Sequence, residues 1–141
     1  MAGHVDSVSW FDGQRHLRVY TTAGGKVKEE GYDGSSWYTG GLAVDGNTVG
    51  ATSWVDGAGQ IHIRVYIGNA NGTVTEQCWD KDKWYVGAFS FPGQAASASS
   101  WVEGGQVHIR VYVRNADTAT ELCWDKDKWY AGAYPAQRSS S

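Results

Sequence analysis

The feature that most constrains this chain is a stretch of eleven residues that is written almost identically twice. Residues 75–85 read TEQCWDKDKWY and residues 120–130 read TELCWDKDKWY, which agree at ten of eleven positions and lie 45 residues apart. A looser copy, KEEGYDGSSWY, occupies residues 28–38. Self-similarity at a period of about 20–50 residues is typical of repeat architectures, in which each repeat is one supersecondary unit. The sequence therefore predicts three tandem units.

The repeat extends over almost the whole chain, because several residue types return every 44 to 47 residues. They are a Trp that follows a Ser, an Arg that opens an RVY stretch, a Glu 11 or 12 residues after that Arg, and two aromatic residues after the Glu. We predict one domain over residues 1–141, built of units at about 5–44, 49–91 and 96–135. GQAAS at 93–97 is interpreted as a small-residue linker, and RSSS at the end of the chain as a frayed tail.

Each unit contains about four short runs with the chemistry of β-strands. In the first unit they are SVSW, HLRVY, KVKEEGYD and WYTGGL, and turn signals such as DG and AGG separate them. No window places apolar residues at helical spacing. Four strands in each repeat are typical of a β-propeller blade, and a closed propeller typically needs about four to eight blades. We therefore expect an all-β chain of three four-stranded blades that completes a six-bladed β-propeller by oligomerisation, as a homodimer.

Composition narrows the classes of partner. The formal net charge is -3 without a basic run, which argues against nucleic acid, and no apolar stretch is long enough to cross a membrane. No signal peptide opens the sequence, so we expect a chain that stays in the cytoplasm or is secreted by a non-classical route. Cys78 and Cys123 occupy the same place in two repeats, where the first repeat has Gly31. We interpret both as small buried hydrophobic residues rather than as a disulfide or a reactive pair.

Strand alternation predicts where the recurring polar residues meet. Along IHIRVY, Arg64 faces one side of the strand and Ile63 faces the other, and Glu76 and Trp79 are separated in the same way. Because propeller blades stack face to face, a Glu on the front of one blade would meet an aromatic residue on the back of the next. A carboxylate that accepts hydrogen bonds, a guanidinium that donates them and a flat indole together suit a sugar.

At these residues the chain resembles a known family. The stretch IRVY, followed by TExCWDxxxWYxGA, is similar to the signature of the fucose-binding lectins of the Aleuria aurantia, Ralstonia and Burkholderia type, and the resemblance covers all three repeats. It implies a six-bladed β-propeller that binds L-fucose and fucosylated oligosaccharides between adjacent blades, at several sites and without a cofactor. In that family the Arg, the Glu and a small residue of one blade line the site, and two aromatic residues of the next blade pack against the sugar.

The resemblance implies three sites in this sequence, each made from two blades. They are Arg18, Glu29 and Gly41 with Trp79 and Trp84; Arg64, Glu76 and Ala88 with Trp124 and Trp129; and Arg110, Glu121 and Ala133 with Tyr32 and Trp37 of another chain. The Trp at the start of each repeat, namely Trp10, Trp54 and Trp101, is expected in the blade core.

Other functions fit the pattern less well. A glycosidase usually needs two carboxylates at the bond that is cut, whereas each unit repeats one Glu whose natural partner is an Arg, so we expect no enzyme. The recurring His16, His62 and His108 fall one per blade, too far apart for one metal ion, which favours hydrogen bonding or packing. DKD lacks the Gly and the distant Glu of a calcium loop and predicts a hairpin turn. The alternative from another class is a protein-interaction propeller without sugar specificity.

Overall fold

The computed structural model describes residues 3–135, and in that range it consists of twelve β-strands and no helix. The strands are β1 (Val5–Phe11), β2 (Arg15–Ala23), β3 (Lys26–Tyr32), β4 (Trp37–Asp45), β5 (Thr48–Val55), β6 (Ile61–Gly68), β7 (Thr73–Trp79), β8 (Trp84–Pro92), β9 (Ala95–Glu103), β10 (Gln106–Asn115), β11 (Thr118–Trp124) and β12 (Trp129–Ala131). No element of the described chain is therefore a helix that could cross a membrane.

The strands form three separate antiparallel sheets, each made of four consecutive strands. The orders are β1-β2-β3-β4, β5-β6-β7-β8 and β9-β10-β11-β12, which we call blades 1, 2 and 3. Tight hairpins join neighbouring strands, and the one between β9 and β10 turns at Gly104 and Gly105, whose φ angles are 60° and 76°. Residues with a side chain rarely adopt these angles, so the paired glycines account for the hairpin at this point.

The blades pack front to back, where the front is the face that carries Arg18, Arg64 or Arg110. One core joins the front of blade 1, including Tyr20 and Leu42, to Ile63 and Val65 on the back of blade 2. A second core joins the front of blade 2 to the back of blade 3 in the same way. Burying each such side chain contributes about 1.5–3 kcal/mol. The packing produces two closed clefts, the 1–2 cleft and the 2–3 cleft, and leaves the back of blade 1 and the front of blade 3 without a neighbouring blade.

The predicted linker at 93–97 is wrong, because β9 already begins at Ala95 and only Gly93 and Gln94 connect the two blades. The residues there are small because neighbouring segments of the backbone approach each other closely. A Cβ on Gly93 would lie 2.2 Å from the side chain of Val113, and a Cβ on Gly50 would lie 2.1 Å from the carbonyl oxygen of Ala96. The predicted frayed tail at 138–141 lies outside the described residues.

Candidate functional site

Each closed cleft contains a cavity lined by residues from both of its blades. The cavity of the 1–2 cleft has a volume of about 220 Å³ and is lined by Arg18, Glu29 and Gly41 from blade 1 and by Trp79 and Trp84 from blade 2. The cavity of the 2–3 cleft has a volume of about 200 Å³ and is lined by Arg64, Glu76 and Ala88 from blade 2 and by Trp124 and Trp129 from blade 3. The structure thus brings together two of the three residue sets selected from the sequence.

The glutamate of each cavity is held inside its own blade. Glu76 is only 4% exposed, and its Oε2 accepts a 2.7 Å hydrogen bond from the hydroxyl of Tyr66. The backbone N–H of Phe89 points to Oε1 at 3.4 Å. Burial, together with the charge of Glu76, raises the pKa of Tyr66 well above its usual value, so this hydroxyl stays protonated and keeps donating. The carboxylate is therefore a fixed acceptor at the cavity wall.

A bulge in the hairpin formed by β7 and β8 makes room for this carboxylate. The pairing of β7 with β8 shifts between Thr75 and Gln77, directly at Glu76. A Cβ on Gly87 would lie 2.0 Å from Oε1 of Glu76, so only glycine leaves space for the carboxylate at that position. The same arrangement recurs at Gly40 beside Glu29 and at Gly132 beside Glu121. The extra residues of the bulge lie on β8, so Glu76 and Trp79 still point to opposite faces of β7.

The arginine of the 2–3 cavity is anchored by one of its three nitrogens, whereas Arg18 of the 1–2 cavity donates from Nη1 and also from Nη2, to Oδ2 of Asp33 at 3.4 Å. Nη1 of Arg64 donates to the carbonyl of Ile63 at 3.0 Å, to the carbonyl of Trp79 at 3.4 Å and to Oδ1 of Asp80 at 2.8 Å. Between residues 3 and 135, every hydrogen bond of Arg64 starts from this nitrogen. Because a guanidinium carries five N–H donors, the other edge of the fork keeps donors for a ligand in the cavity that it lines.

The expected Arg–Glu pairing is wrong, because the arginine pairs with an aspartate that the sequence analysis did not select. Oδ1 of Asp80 accepts from Arg64 and lies 2.6 Å from Nδ1 of His62, and its Oδ2 accepts from the hydroxyl of Tyr85. Burial alone would raise the pKa of Asp80, but the hydrogen bonds from His62, Tyr85 and Arg64 outweigh it and lower the pKa to about 2. The aspartate therefore stays ionised and fixes the guanidinium.

The same network occurs in the other two blades, around Asp33 and Asp125. The sequence carried a signal for it, since an Asp directly follows Tyr32, Trp79 and Trp124 in the three repeats. The recurring histidines are thus hydrogen-bonding residues. The hairpin turn predicted from DKD is present, and Asp80 begins it between β7 and β8.

The Trp at the start of each repeat meets the prediction of a core residue only in part. Trp10 and Trp54 are half-buried and line the two cavities, and Trp101 is exposed. Each indole stacks on the histidine of its blade, at centroid distances of 4.8, 5.2 and 5.0 Å in chain order. The arginine guanidinium lies over the same indole, at 4.9, 4.9 and 5.0 Å. Trp10 and Trp54 also pack against the edges of the two cores, and all three tryptophans support the arginine through a cation–π contact.

Other reactive groups do not add chemistry to the clefts. Cys78 and Cys123 are buried and unpaired, as predicted, and burial raises the pKa of Cys78 to about 12, which keeps its thiol from acting as a thiolate. No group of His, Cys, Asp or Glu in the described part of the chain could hold a metal ion.

The third residue set is divided between the two open faces. On the front of blade 3, Arg110 donates to Asp125 at 2.8 Å and Tyr112 donates to Glu121 at 2.7 Å, as in the other blades, and Ala133 is exposed beside them. On the back of blade 1, Tyr32 is half-buried and Trp37 is 53% exposed. The structure does not bring these two halves together within one chain.

Comparisons with known proteins agree with this geometry. A family model described as fungal fucose-specific lectin matches residues 4–139. A fucose lectin from Kordia zhangzhouensis, solved with methyl-fucoside, is similar at 46% identity and a TM-score of 0.82, over 94% of this chain and 99% of that one. The SapL1 lectin, solved with alpha methyl fucoside, shares 29% identity at a TM-score of 0.74, over 92% of this chain. Comparison with curated proteins finds no match.

A further structure informs the fold alone. The lectin of Aleuria aurantia, a six-bladed β-propeller, has a TM-score of 0.70 and 24% identity over 91% of this chain. The matched part of this chain covers 43% of that protein and 46% of SapL1, so the chain spans about half the length of either. With three four-stranded blades, it forms half of a six-bladed β-propeller, which confirms the predicted fold class.

Proposed function

The chain belongs to the fungal fucose-specific lectin family, and on that premise we propose that it binds L-fucose and fucosylated glycans in the clefts between its blades. The observation that carries the proposal is the pair of closed cavities in which a fixed carboxylate and an anchored guanidinium from one blade face two tryptophans from the next. A lectin binds without catalysing, and a single recurring carboxylate that is held by a tyrosine hydroxyl is a poor candidate for a general acid.

Binding follows from the chemistry of the two walls. Glu76 accepts hydrogen bonds from sugar hydroxyls, and the free edge of Arg64 donates to sugar oxygens. Each such bond to a charged group contributes about 1.5–3 kcal/mol. Trp124 and Trp129 cover the apolar side of the sugar, including its C6 methyl group. The 1–2 cleft works in the same way with Arg18 and Glu29.

The assembly we propose is a homodimer in which two three-bladed chains close one six-bladed ring. Its mass would be twice the 15.3 kDa of the chain. The front of blade 3 would then meet the back of the partner's blade 1, so that Arg110, Glu121 and Ala133 face the partner's Tyr32 and the partner's Trp37. A tyrosine ring offers less apolar area than an indole, and we expect this site to bind fucose more weakly than the other two. Several sites in one ring increase avidity for a glycan-covered surface.

The experiment that tests the function is titration calorimetry with methyl α-L-fucoside on the unmodified chain and on Arg64→Ala. We expect one site fewer per chain, because losing charged hydrogen bonds of about 1.5–3 kcal/mol weakens that site by tenfold or more. Arg64→Lys is the matched variant, since it keeps the charge and loses the planar fork. A chain that binds no fucoside, or an Arg64→Ala chain with an unchanged number of sites, contradicts the proposal. The first result would favour a protein-interaction propeller.

A further inference from the structure

The 2–3 cleft contains a second cavity, of about 340 Å³, next to the proposed fucose site. The two cavities share Trp54, Arg64 and Val107, so they are parts of one continuous cleft. The second one extends past the arginine towards the hairpins that begin at Asp56 in blade 2 and end at Gly105 in blade 3. A ligand that fills both cavities therefore has a second unit joined to the one that lies between Glu76 and the tryptophans.

One wall of the second cavity is apolar and incompletely covered. Val102 and Val107 are paired neighbours on β9 and β10 and belong to the back of blade 3. Val102 is 42% exposed although it lies inside a cleft, and its counterpart in blade 2, Val55, is 41% exposed. In blade 1 the same position, directly after the recurring Trp, is held by Phe11, which is 70% exposed on an open face. Each cleft thus has an apolar side chain in register that the described residues, 3–135, leave partly exposed.

The opposite wall is polar and rigid. Oδ1 of Asp56 accepts from the backbone N–H groups of Ala58 and Gln60 at 2.9 and 3.0 Å, and its Oδ2 lies 2.8 Å from Nε2 of His62. A carboxylate offers about four lone-pair positions, so Oδ2 keeps one for a further donor. Blades 1 and 3 carry Asp12 and Glu103 at this position.

These walls match the chemistry of a neutral sugar ring. The valine surface suits the apolar C–H face of a pyranose, and the carboxylate oxygen suits one of its hydroxyls. Asp56 and Asp80 both line the cavity, and their charges disfavour an acidic sugar. We propose that the second cavity is a subsite for the neutral pyranose to which fucose is attached, an inference that rests on the proposed binding of fucose in the adjoining cavity.

The subsite is tested in a chain where only the 2–3 cleft binds, obtained with Arg18→Ala and Arg110→Ala. Calorimetry compares methyl α-L-fucoside with two disaccharides, one with fucose on galactose and one with fucose on N-acetylglucosamine. We expect at least one disaccharide to bind about fivefold more tightly than the methyl glycoside, as covering the exposed part of a valine allows. Val102→Ser removes this advantage and leaves the affinity for methyl fucoside unchanged. Val102→Phe, which copies the residue of blade 1, increases the advantage.

Val55→Ser and Val55→Phe are the matched controls, because they make the same changes in the silenced 1–2 cleft and leave both affinities as they were. The subsite is refuted if neither disaccharide gains affinity, if Val102→Ser keeps the advantage, or if it weakens both kinds of sugar equally. Failure of methyl fucoside to bind the unmodified protein refutes the proposed function itself, which separates that failure from failure of the subsite alone.

Discussion

Blades 2 and 3 carry the same polar residues, but the front of blade 2 is covered by blade 3, whereas the front of blade 3 has no neighbouring blade within the chain. The hydrogen bond from tyrosine to glutamate is 2.7 Å in both blades, and the contact from arginine to aspartate is 2.8 Å in both. Glu76 is buried and Glu121 is half-buried. The polar half of a site is therefore assembled within one blade, and the neighbouring blade adds the aromatic wall and excludes water.

Exclusion of water changes the electrostatics of otherwise identical groups. For Tyr66, in the closed cleft, burial is the largest cause of its raised pKa. For Tyr112, on the open face, the pKa is also raised, but the hydrogen bond to Glu121 is the largest cause. Hydrogen bonds strengthen in a medium of low dielectric constant. We infer that a neighbouring blade turns a preformed but weak half-site into a strong one.

The largest effect is expected from a charge placed on the open back of blade 1. Val19 is half-buried there, whereas Val65 and Val111, the same position in blades 2 and 3, are fully buried. If a second chain covers Val19, Val19→Lys buries an ammonium at a cost of several kcal/mol and raises the Kd of the dimer more than about 100-fold. Native mass spectrometry measures the mass. Val86→Lys, on an exposed position of β8, is the control and should stay dimeric. A dimeric Val19→Lys chain would show that this face is not the interface.

The second effect compares the glycine beside the glutamate in a covered and an uncovered blade. In Gly87→Ala the new methyl group displaces the carboxylate of Glu76 from Tyr66, which costs about 1.5–3 kcal/mol of unfolding free energy and removes the 2–3 site. Gly132→Ala is made in the Val19→Lys chain, which we expect to be monomeric. There the half-buried Glu121 can turn into solvent, so the loss of unfolding free energy is smaller. Urea unfolding measures both. Equal costs would mean that covering the blade adds nothing to the network.

A matched control for the glycine comparison is Gly41→Ala. A Cβ on Gly41 would lie 3.8 Å from the nearest atom of Trp84, an ordinary contact, and Ala88 already occupies this place in blade 2. We expect a change in stability within about 0.5 kcal/mol and an intact 1–2 site in calorimetry. Loss of that site would show that the difference between Gly41 and Ala88 tunes the sites.

The third effect links sugar binding to assembly. A ligand that binds only the dimer stabilises it by about 2.7 kcal/mol at 100 times its Kd. Arg110→Ala should therefore abolish the part of the fucose-induced rise in Tm that depends on protein concentration, whereas Arg64→Ala should retain it. Thermal melting at several protein concentrations, with and without fucose, distinguishes them. If Arg110→Ala retains that part of the rise, the site that couples sugar binding to assembly is not the one at Arg110.

The smallest effect concerns acid stability. The pKa of Asp80 is lowered from 3.8 to about 2 in the folded chain, so its ionised form stabilises the fold above pH 4. This contribution is lost as the pH falls through the folded pKa, between about pH 4 and pH 2. Asp80→Asn should flatten the dependence of unfolding free energy on pH in that window, by an amount on the order of 1 kcal/mol. An unchanged slope would mean that Asp80 gains no stability from its three partners.

Repetition and alternation were sufficient to predict the blades and the two faces that meet in each cleft. Because the repeats recur every 44 to 47 residues, equivalent positions can be compared directly. The faces on which Arg64 and Glu76 lie follow from the alternation of side chains along any strand. The partners of these residues were not predictable in the same way. Asp80 comes directly after Trp79, which pairs with Ile63, so its contacts with Arg64 and His62 depend on the register of β6 with β7, which the spacing of the repeats does not give.

Close approaches were also invisible in the sequence. Gly87 reads as an ordinary strand glycine until the bulge at Glu76 shows that any side chain there would collide with the carboxylate. The small residues at 93–97 suggested a linker because tight packing and flexibility favour the same residue types. Trp54 was assigned to the core from its place at the start of the first strand, but it packs only at the edge of the core and lies beside His62 and Arg64 in the cleft wall.

Among the twelve described strands none is exchanged between blades, and this has a consequence for how a gene of this kind can change. Each sheet is one uninterrupted segment of chain, and only two residues, Gly46 and Asn47, join the first blade to the second. A duplication whose ends fall at these junctions copies a whole blade without leaving any strand unpaired. If every blade contributes the front of one sugar site and the back of another, as we propose, each copy inserted into a closed ring adds one site. Fusing two three-bladed genes end to end would encode all six blades in a single reading frame, and the interchain contact would be inherited as an internal one.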